Sequence, residues 1–472
     1  DFWGKIREKN NYNYTYYIFP EFESELYIFK TNKFDGNQNF WNSNSEKSFT
    51  SSVDFTNAVF LDKANFNATK FFSNSVFNYS VFHKMALFNN TCFEMLSNFH
   101  ETCFHNECFF YNSIHNDKAI FTRATFLGDT AFPNSKIHGL CDFQSANFNK
   151  NVNFGGTEFY GYVIFLNTVF EKETSFHESV FYNNIVFRNA SLNGDFSFSY
   201  VTFKRSFIFH RLEFKKNVDF SNINFQNKIE FVDLKFLGEA KFNGCQFSVD
   251  STALFQDIDS KPKLIFKYIN FNKNTTFRRV DLSAAIFTQS DITDAKFKEC
   301  SWDLTPRLVL EEEIDASSEK DYLALESLYR QLKKNFSTEK DIELSGYASI
   351  SEVEMRKKRF LKEKKYTDFF IYWFYSFFGG STEDYKTPLK WLFYSGFFIF
   401  PLIYFFTEPI LNENKVCEYN LMKSFIKSFA NSIPILKSKY EYQFWITQSF
   451  QLIFSTILLT FFILSLRKRF KH

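Results

Sequence analysis

The sequence predicts a parallel β-solenoid joined to a membrane anchor: a long stack of short strands, a helical hairpin, then two transmembrane α-helices. Three observations predict it. Phenylalanine returns on a beat of five residues and then six from Phe55 to Phe247, filling 33 of 36 consecutive slots. The residue two places before most slots is small or β-branched, as at Val53, Ala58, Ala64, Thr69, Ser75 and Ala86. Finally, the stretches 391–406 and 444–466 carry no charge, and with its flanking residues each reaches the length of a bilayer crossing.

The beat comes first because internal repetition decides the fold. Phe makes up 71 of 472 residues, so chance would fill about 5 of the 36 slots. The other three slots hold His115, Ile137 and Leu192. An eleven-residue period also suits a right-handed coiled coil, but a step of five turns a helix by about 140° and would send alternate rings to opposite sides. A small residue, a polar one and then Phe is instead a period of two, the mark of a short strand with one buried face. Asn, Asp, Ser and Gly crowd the gaps, as tight turns require. The structural ladder therefore runs through Phe55, Phe60, Phe66, Phe77, Phe82, Phe88, Phe143, Phe148, Phe154, Phe165, Phe220 and Phe231.

The segments VDFTNAVFLDKANF and CDFQSANFNKNVNFGGTEF resemble the Phe-rich, one-residue-expanded variety of the pentapeptide-repeat family. From Thr276 the beat tightens to fives at Phe277, Leu282, Phe287, Ile292, Phe297 and Trp302, and VDLSAAIFTQSDITDAKFKECSW is similar to the unexpanded repeat. The resemblance covers residues 53–302. It implies a right-handed quadrilateral parallel β-helix with positions i and i−2 inside. Two eleven-residue repeats then make one coil of 22 residues, and coils about 4.8 Å apart give a ladder roughly 40 Å long.

Residues 1–48 read as an N-terminal cap with irregular first repeats, because a solenoid end exposes unpaired strand edges. Phe29, Phe34 and Phe40 already keep the step there. The β-helix itself spans 49–304. Within it, His115 is expected to turn outward through a local bulge that brings Ile114 in. Cys92, His100, Cys103, His105 and Cys108 form a loose cluster whose spacing matches no paired metal-ligand pattern. His83 and His105 should stack on neighbouring coils, and Cys108, Cys141, Cys245 and Cys300 act as small i−2 fillers. At Phe196, Phe207, Leu212, Ile223, Ile229 and Leu234 the i−2 residue is large, so the core should widen or repack. At QDIDSKPKL, 256–264, a loop is expected to leave one corner.

After Pro306 the composition turns helical. Ser318 is a candidate cap, and Tyr322, Leu325, Leu328, Tyr329, Leu332 and Phe336 form an apolar stripe. A second helix follows from about Thr338. The stretch LYRQLKKNFSTEKDIELSGYASISEVEMRKKR resembles the helical hairpin of membrane-bound members of the same family, so 305–366 is assigned as hairpin and basic linker. Residues 367–388 suit the bilayer interface. The spans are 389–407, with Pro401 expected to kink it, and 444–466. Between them, 408–443 forms an external loop with an interfacial or re-entrant helix at 421–436. The basic run 356–365 and the basic tail 467–472 place the solenoid and the C-terminus in the cytoplasm of a multi-pass cell-membrane protein. Gln448, Gln451 and Ser455 share one face of the second span, a packing face or a pore lining.

Composition limits the function. Net charge is +2, against the dense negative stripe that a nucleic-acid decoy needs, so no nucleic-acid partner is expected. Seven cysteines, an odd number without disulfide-like spacing, suit a reducing compartment, and 1–17 carries no signal-peptide pattern. There is no Gly-rich phosphate loop, no His-Glu-x-x-His and no nucleophile elbow. No catalytic residue, cofactor or metal is therefore assigned. The reading is a non-enzymatic membrane scaffold for protein interaction, with the lipid bilayer and an unidentified protein as partners. The alternative is a homo-oligomeric pore or channel-like effector gated by the solenoid, since two spans cannot enclose a channel alone.

Overall fold

The computed structural model describes residues 12–19, 22–23, 47–260, 263–305, 307–314, 320–407, 410–411, 417–418, 421–432 and 445–469. The chain forms two compact units, Asp1–Asp303 with Leu310–Ile314, and Leu304–Val309 with Asp315–His472.

The first unit is a solenoid. A two-residue strand cannot stand alone, so each pairs in parallel with the strands one coil below and above, in four sheets of 8, 13, 11 and 10 strands. The register advances by 22 residues, setting Phe60 opposite Phe82 and Phe82 opposite Phe104. The rings stack as the backbone pairs. Phe60 lies 4.4 Å from Phe82 with ring planes 2° apart, Phe66 lies 4.8 Å from Phe88, and Phe154 lies 4.9 Å from Phe176. Neighbouring columns meet edge to face, as between Phe66 and Phe77 at 5.4 Å and 89°. Both geometries suit the ring quadrupole, and together they fill the interior with a solid aromatic lattice.

The alternation of five and six comes from two kinds of corner. In each five-residue step the second residue after Phe is left-handed: Asn57 at φ 58°, Ala68 at 55°, Tyr79 at 56° and Asn90 at 55°. The Ala58 N–H then closes onto the Phe55 carbonyl at 2.9 Å, a type II turn. Asn tolerates that backbone, whereas Ala68, Tyr79, Glu101 and Arg123 carry strain of about 1–2 kcal/mol each. The six-residue step turns without a left-handed residue. At one such corner a Cβ on Gly161 would sit 1.9 Å from the Gly139 carbonyl oxygen one coil below, so only glycine fits.

The i−2 residues do more than save space. Hydroxyls of Thr91, Thr102, Thr157, Thr168 and Ser179 donate to the Phe66, Phe77, Phe132, Phe143 and Phe154 carbonyls of the previous coil, at 2.7–3.0 Å. Each of these carbonyls already closes its own turn, so the hydroxyl uses its second lone pair and fastens coil to coil.

Three expectations change. The N-terminal segment contains a coil and not only a cap: Tyr12, Phe19 and Phe22 register with Val53, Phe60 and Ala64. Tyr14 stacks on Phe55 at 4.8 Å and Phe19 on Phe60 at 5.0 Å. Phe29, Phe34 and Phe40 lie outside the described residues. Second, His115 points inward and is fully buried, while Ile114 is half-buried. It occupies a ring slot on Phe93 at 4.7 Å and 19°, because a neutral imidazole with partners for its nitrogens can replace a phenyl ring. Third, Gln256–Asp259 belong to the strand Ala253–Ser260, paired along Ile229–Phe236. The extra residues are taken up earlier, where Ser251 N–H closes on the Ser248 carbonyl at 3.0 Å. At Pro401 the span carries a π-helical turn just before the proline, Ser395–Ile399, in which Phe400 N–H reaches Ser395. Proline leaves the Phe397 carbonyl without its usual donor, and the wider turn absorbs the defect.

The expected repacking at the large i−2 residues takes a definite form. Phe207–Phe214, Ile229–Phe236 and Ala253–Ser260 each run as one eight-residue strand across a former corner. The eight-stranded sheet meanwhile ends at Ile185–Val186. Farther along, the carboxylate of Glu312 accepts the Phe287 N–H of a late coil.

The second unit is helical. Helix α1, Tyr322–Thr338, is capped by Asp321, which accepts from Leu323 and Ala324 N–H; Ser318 lies outside the described residues. Asp341 caps α2, Ile342–Lys362, which starts later than Thr338. There follow α3, Tyr366–Gly379, then α4, Lys386–Tyr394, the π turn, and α5, Phe400–Thr407. Helix α6 is Leu421–Ser432 and α7 is Trp445–Arg469. Two helical runs, Lys386–Phe406 and Thr447–Lys468, are long and apolar enough to cross a membrane.

Candidate functional site

The polar side chains least at home in their surroundings lie among α5, α6 and α7. Helix α6 reverses the usual amphipathic arrangement. Leu421, Met422, Ile426 and Phe429 are exposed, while Ser424 and Ser428 are buried. Small residues allow the close approach this needs: a Cβ on Gly396 of the π turn would lie 2.8 Å from Ser432 Oγ. Ser428 Oγ donates to the Gly396 carbonyl at 2.7 Å, one of the carbonyls that the irregular turn leaves available.

Gln451, fully buried on α7, holds the seam together. The Tyr404 hydroxyl donates to its Oε1 at 2.6 Å, and its Nε2 donates to Ser428 O at 2.9 Å and Ser432 Oγ at 3.0 Å. One amide thus bonds to α5 and α6 from α7. Its predicted neighbours on that face differ: Ser455 Oγ and Gln448 Nε2 are buried atoms without a hydrogen-bond partner among the described residues. Sequence reasoning found the three residues as a face but missed Tyr404, Ser428 and Ser432, which reach Gln451 from two other helices.

A second polar cluster lies in the hairpin. Glu326 is buried, and its carboxylate pairs with Arg330 at 2.7 Å, Arg356 at 2.8 Å and Arg359 at 2.9 Å. Glu352 pairs with Arg330, Lys333 and Arg356. Burial works to raise the Glu352 pKa, but Lys333, Arg330 and Arg356 outweigh it and hold the carboxyl below its ordinary value. Arg356 also donates to the Tyr372 hydroxyl at 3.0 Å, tying α2 to α3. Arg356 and Arg359 of the basic run are therefore engaged inside the unit. The only sequence signal was the alternation of Glu and Arg at helical spacing.

The solenoid places its candidates differently. Every ladder residue named from the sequence is buried. His83 and His105 stack at 5.0 Å. Cys92 and Cys103 are half-buried and Cys108 is buried; among the described residues no three His, Cys, Asp or Glu side chains converge as a metal site would require. Burial depresses the His115 imidazole to about 3. Ser97 Oγ lies 2.8 Å from its Nδ1 and Ser113 Oγ 3.3 Å from its Nε2.

A solid aromatic β-solenoid joined to helices that include two candidate membrane spans defines a class of repeat protein. Its repeats are pentapeptide repeats: the family model described as "Pentapeptide repeats (9 copies)" matches residues 132–180, in the middle of a stack that continues in the same geometry on both sides. Over that stretch the chain carries pentapeptide repeats. Neither the curated proteins nor the solved structures give a match.

Proposed function

We propose that the chain is a membrane-anchored, non-enzymatic scaffold, holding a rigid β-helix at the cytoplasmic side of the cell membrane for protein interaction. The observation that carries this reading is the filled interior. Stacked rings occupy the space inside the coils, so the residues free to act are the outward ones, repeated in columns at the ordinary strand spacing of about 4.8 Å, like rungs for a partner. Arg123 above Glu101 and Arg279 above Asp257, at 3.0 and 2.5 Å, are such outward columns. The two apolar helical runs supply the anchor.

The pore reading draws on a separate observation, the Gln448 Nε2 and Ser455 Oγ beside Gln451, which have no hydrogen-bond partner among the described residues. Planar-bilayer recording of the purified full chain separates the two. The scaffold reading expects silent bilayers at every protein density. Discrete currents that scale with the protein added would replace it with the pore.

A further inference from the structure

The eight-stranded sheet of the solenoid stops in mid-stack, and the stop opens a slot with a hydrogen-bonding edge. In the coil below, N–H groups donate upward in a regular row: Val163 to Asn184 O at 3.0 Å, Phe165 to Val186 O at 2.7 Å and Asn167 to Arg188 O at 3.0 Å. The next rung would join the N–H groups of Ile185, Phe187 and Asn189 to the carbonyls of Ser206, Ile208 and His210. Among the described residues none of those three bonds forms. The reason is the fused strand Phe207–Phe214, which runs with the neighbouring sheet and draws away from this edge.

The core stays closed beneath the opening, since Phe187 and Phe209 still meet at 5.7 Å. Outside it lies a cavity of about 550 Å3 bounded by both coils. Its floor is apolar, with Ile185, Phe207 and Leu212 buried, and its walls present Val186 and Ile208, 38% and 51% exposed. The rim carries Arg188 and Arg211, and no carboxylate lines the cavity.

We propose that this slot docks an extended segment of a partner protein in which acidic residues alternate with apolar ones. The Ile185 and Phe187 N–H donors, two residues apart, match successive carbonyls along one edge of an extended chain, the arrangement by which a peptide adds to a sheet, and the Asn189 N–H follows at the corner turn. In that chain alternate side chains face opposite ways, so one set enters the apolar walls while the other meets the arginines. Arg211 already pairs with Asp233 at 3.3 Å, both highly exposed, a contact weak enough to exchange. The proposal rests on the scaffold reading and names the chemistry of its partner.

The test uses a fluorescein-labelled, end-blocked peptide alternating aspartate with isoleucine, titrated into the detergent-solubilised full chain and followed by anisotropy. Saturable binding is expected, weakened about tenfold or more in Arg188→Glu and in Val186→Asp. Val249→Asp, on a residue 78% exposed outside the slot, should bind as the unaltered chain does. Hydrogen exchange at the Ile185, Phe187 and Asn189 amides should be fast in the free protein and slow with the peptide. The assignment is overturned if the peptide does not bind, if a lysine-for-aspartate version binds equally, or if those amides are unaffected. It is also overturned if sedimentation shows self-association that Val186→Asp abolishes, which would give the slot to a second copy. None of these failures touches the scaffold reading, which the bilayer recordings judge.

Discussion

Replacing His115 with phenylalanine should make the solenoid less sensitive to acid, by an amount set by its burial. The imidazole is fully buried in a ring slot, and burial lowers its pKa from 6.5 to about 3. The unfolded chain takes up a proton near pH 6.5, whereas the folded chain resists one until about pH 3. The stability associated with neutral His115 is therefore complete above pH 6.5 and lost as pH falls toward 3. At pH 5 the loss is about 2 kcal/mol, from 1.36 kcal/mol for each pH unit below 6.5. Phenylalanine has no such term and suits the stack on Phe93. Ser97 and Ser113 keep second contacts, to the Lys118 carbonyl at 3.4 Å and to Ser135 Oγ at 3.0 Å. Denaturant unfolding of the full chain and the variant, each at pH 7.5 and pH 5, isolates the effect because other titrating groups cancel in the difference. The stability of the variant relative to the parent should rise by about 2 kcal/mol on moving to pH 5. An unchanged difference would refute a buried neutral His115.

Glu312 should behave in the opposite sense. Burial raises its carboxyl from 4.5 to about 7, so the folded state favours the proton and loses stability as pH rises from 4.5 through 7. Glu312→Gln should gain about 3 kcal/mol over the parent above pH 7 and nothing below pH 4.5, measured by the same unfolding curves. Thr157→Val keeps the shape and deletes the 2.7 Å bond to the Phe132 carbonyl; a loss of about 1 kcal/mol is expected in denaturant midpoint analysis, and no loss would deny the hydroxyls a role in fastening coils. Gln451→Leu removes the seam's shared amide and should lower the helical unit's stability in detergent by about 1–3 kcal/mol. Thermal unfolding followed by protease resistance would check this, with the solenoid transition unmoved.

What could be read from the sequence was what repeats at fixed spacing. The Phe beat, the coil of 22 and the buried small residues follow from steric periodicity, which a linear count captures. The coil at Tyr14 and Phe19 escaped because its five-residue step opens on Tyr and stands 41 residues below its partners Phe55 and Phe60. At His115 the sequence offers an apolar neighbour, Ile114, one place earlier and so suggests a bulge, whereas the imidazole itself fits the ring slot on Phe93. At Gln451 the sequence showed a polar face, but partners 23 and 47 residues away, Ser428 and Tyr404, emerge only when three helices meet. The slot at Ile185 was half legible: large residues at Phe196 and Phe207 announced a change of packing, while the lost hydrogen bonds required the path of the backbone.

Alkaline carbonate extraction of cell membranes carrying the full chain, followed by density flotation, tests the central claim of a bilayer-anchored solenoid most directly. Two spanning helices predict that the whole protein stays with the floating lipid after extraction. Complete release of the chain into the alkaline supernatant would contradict the account.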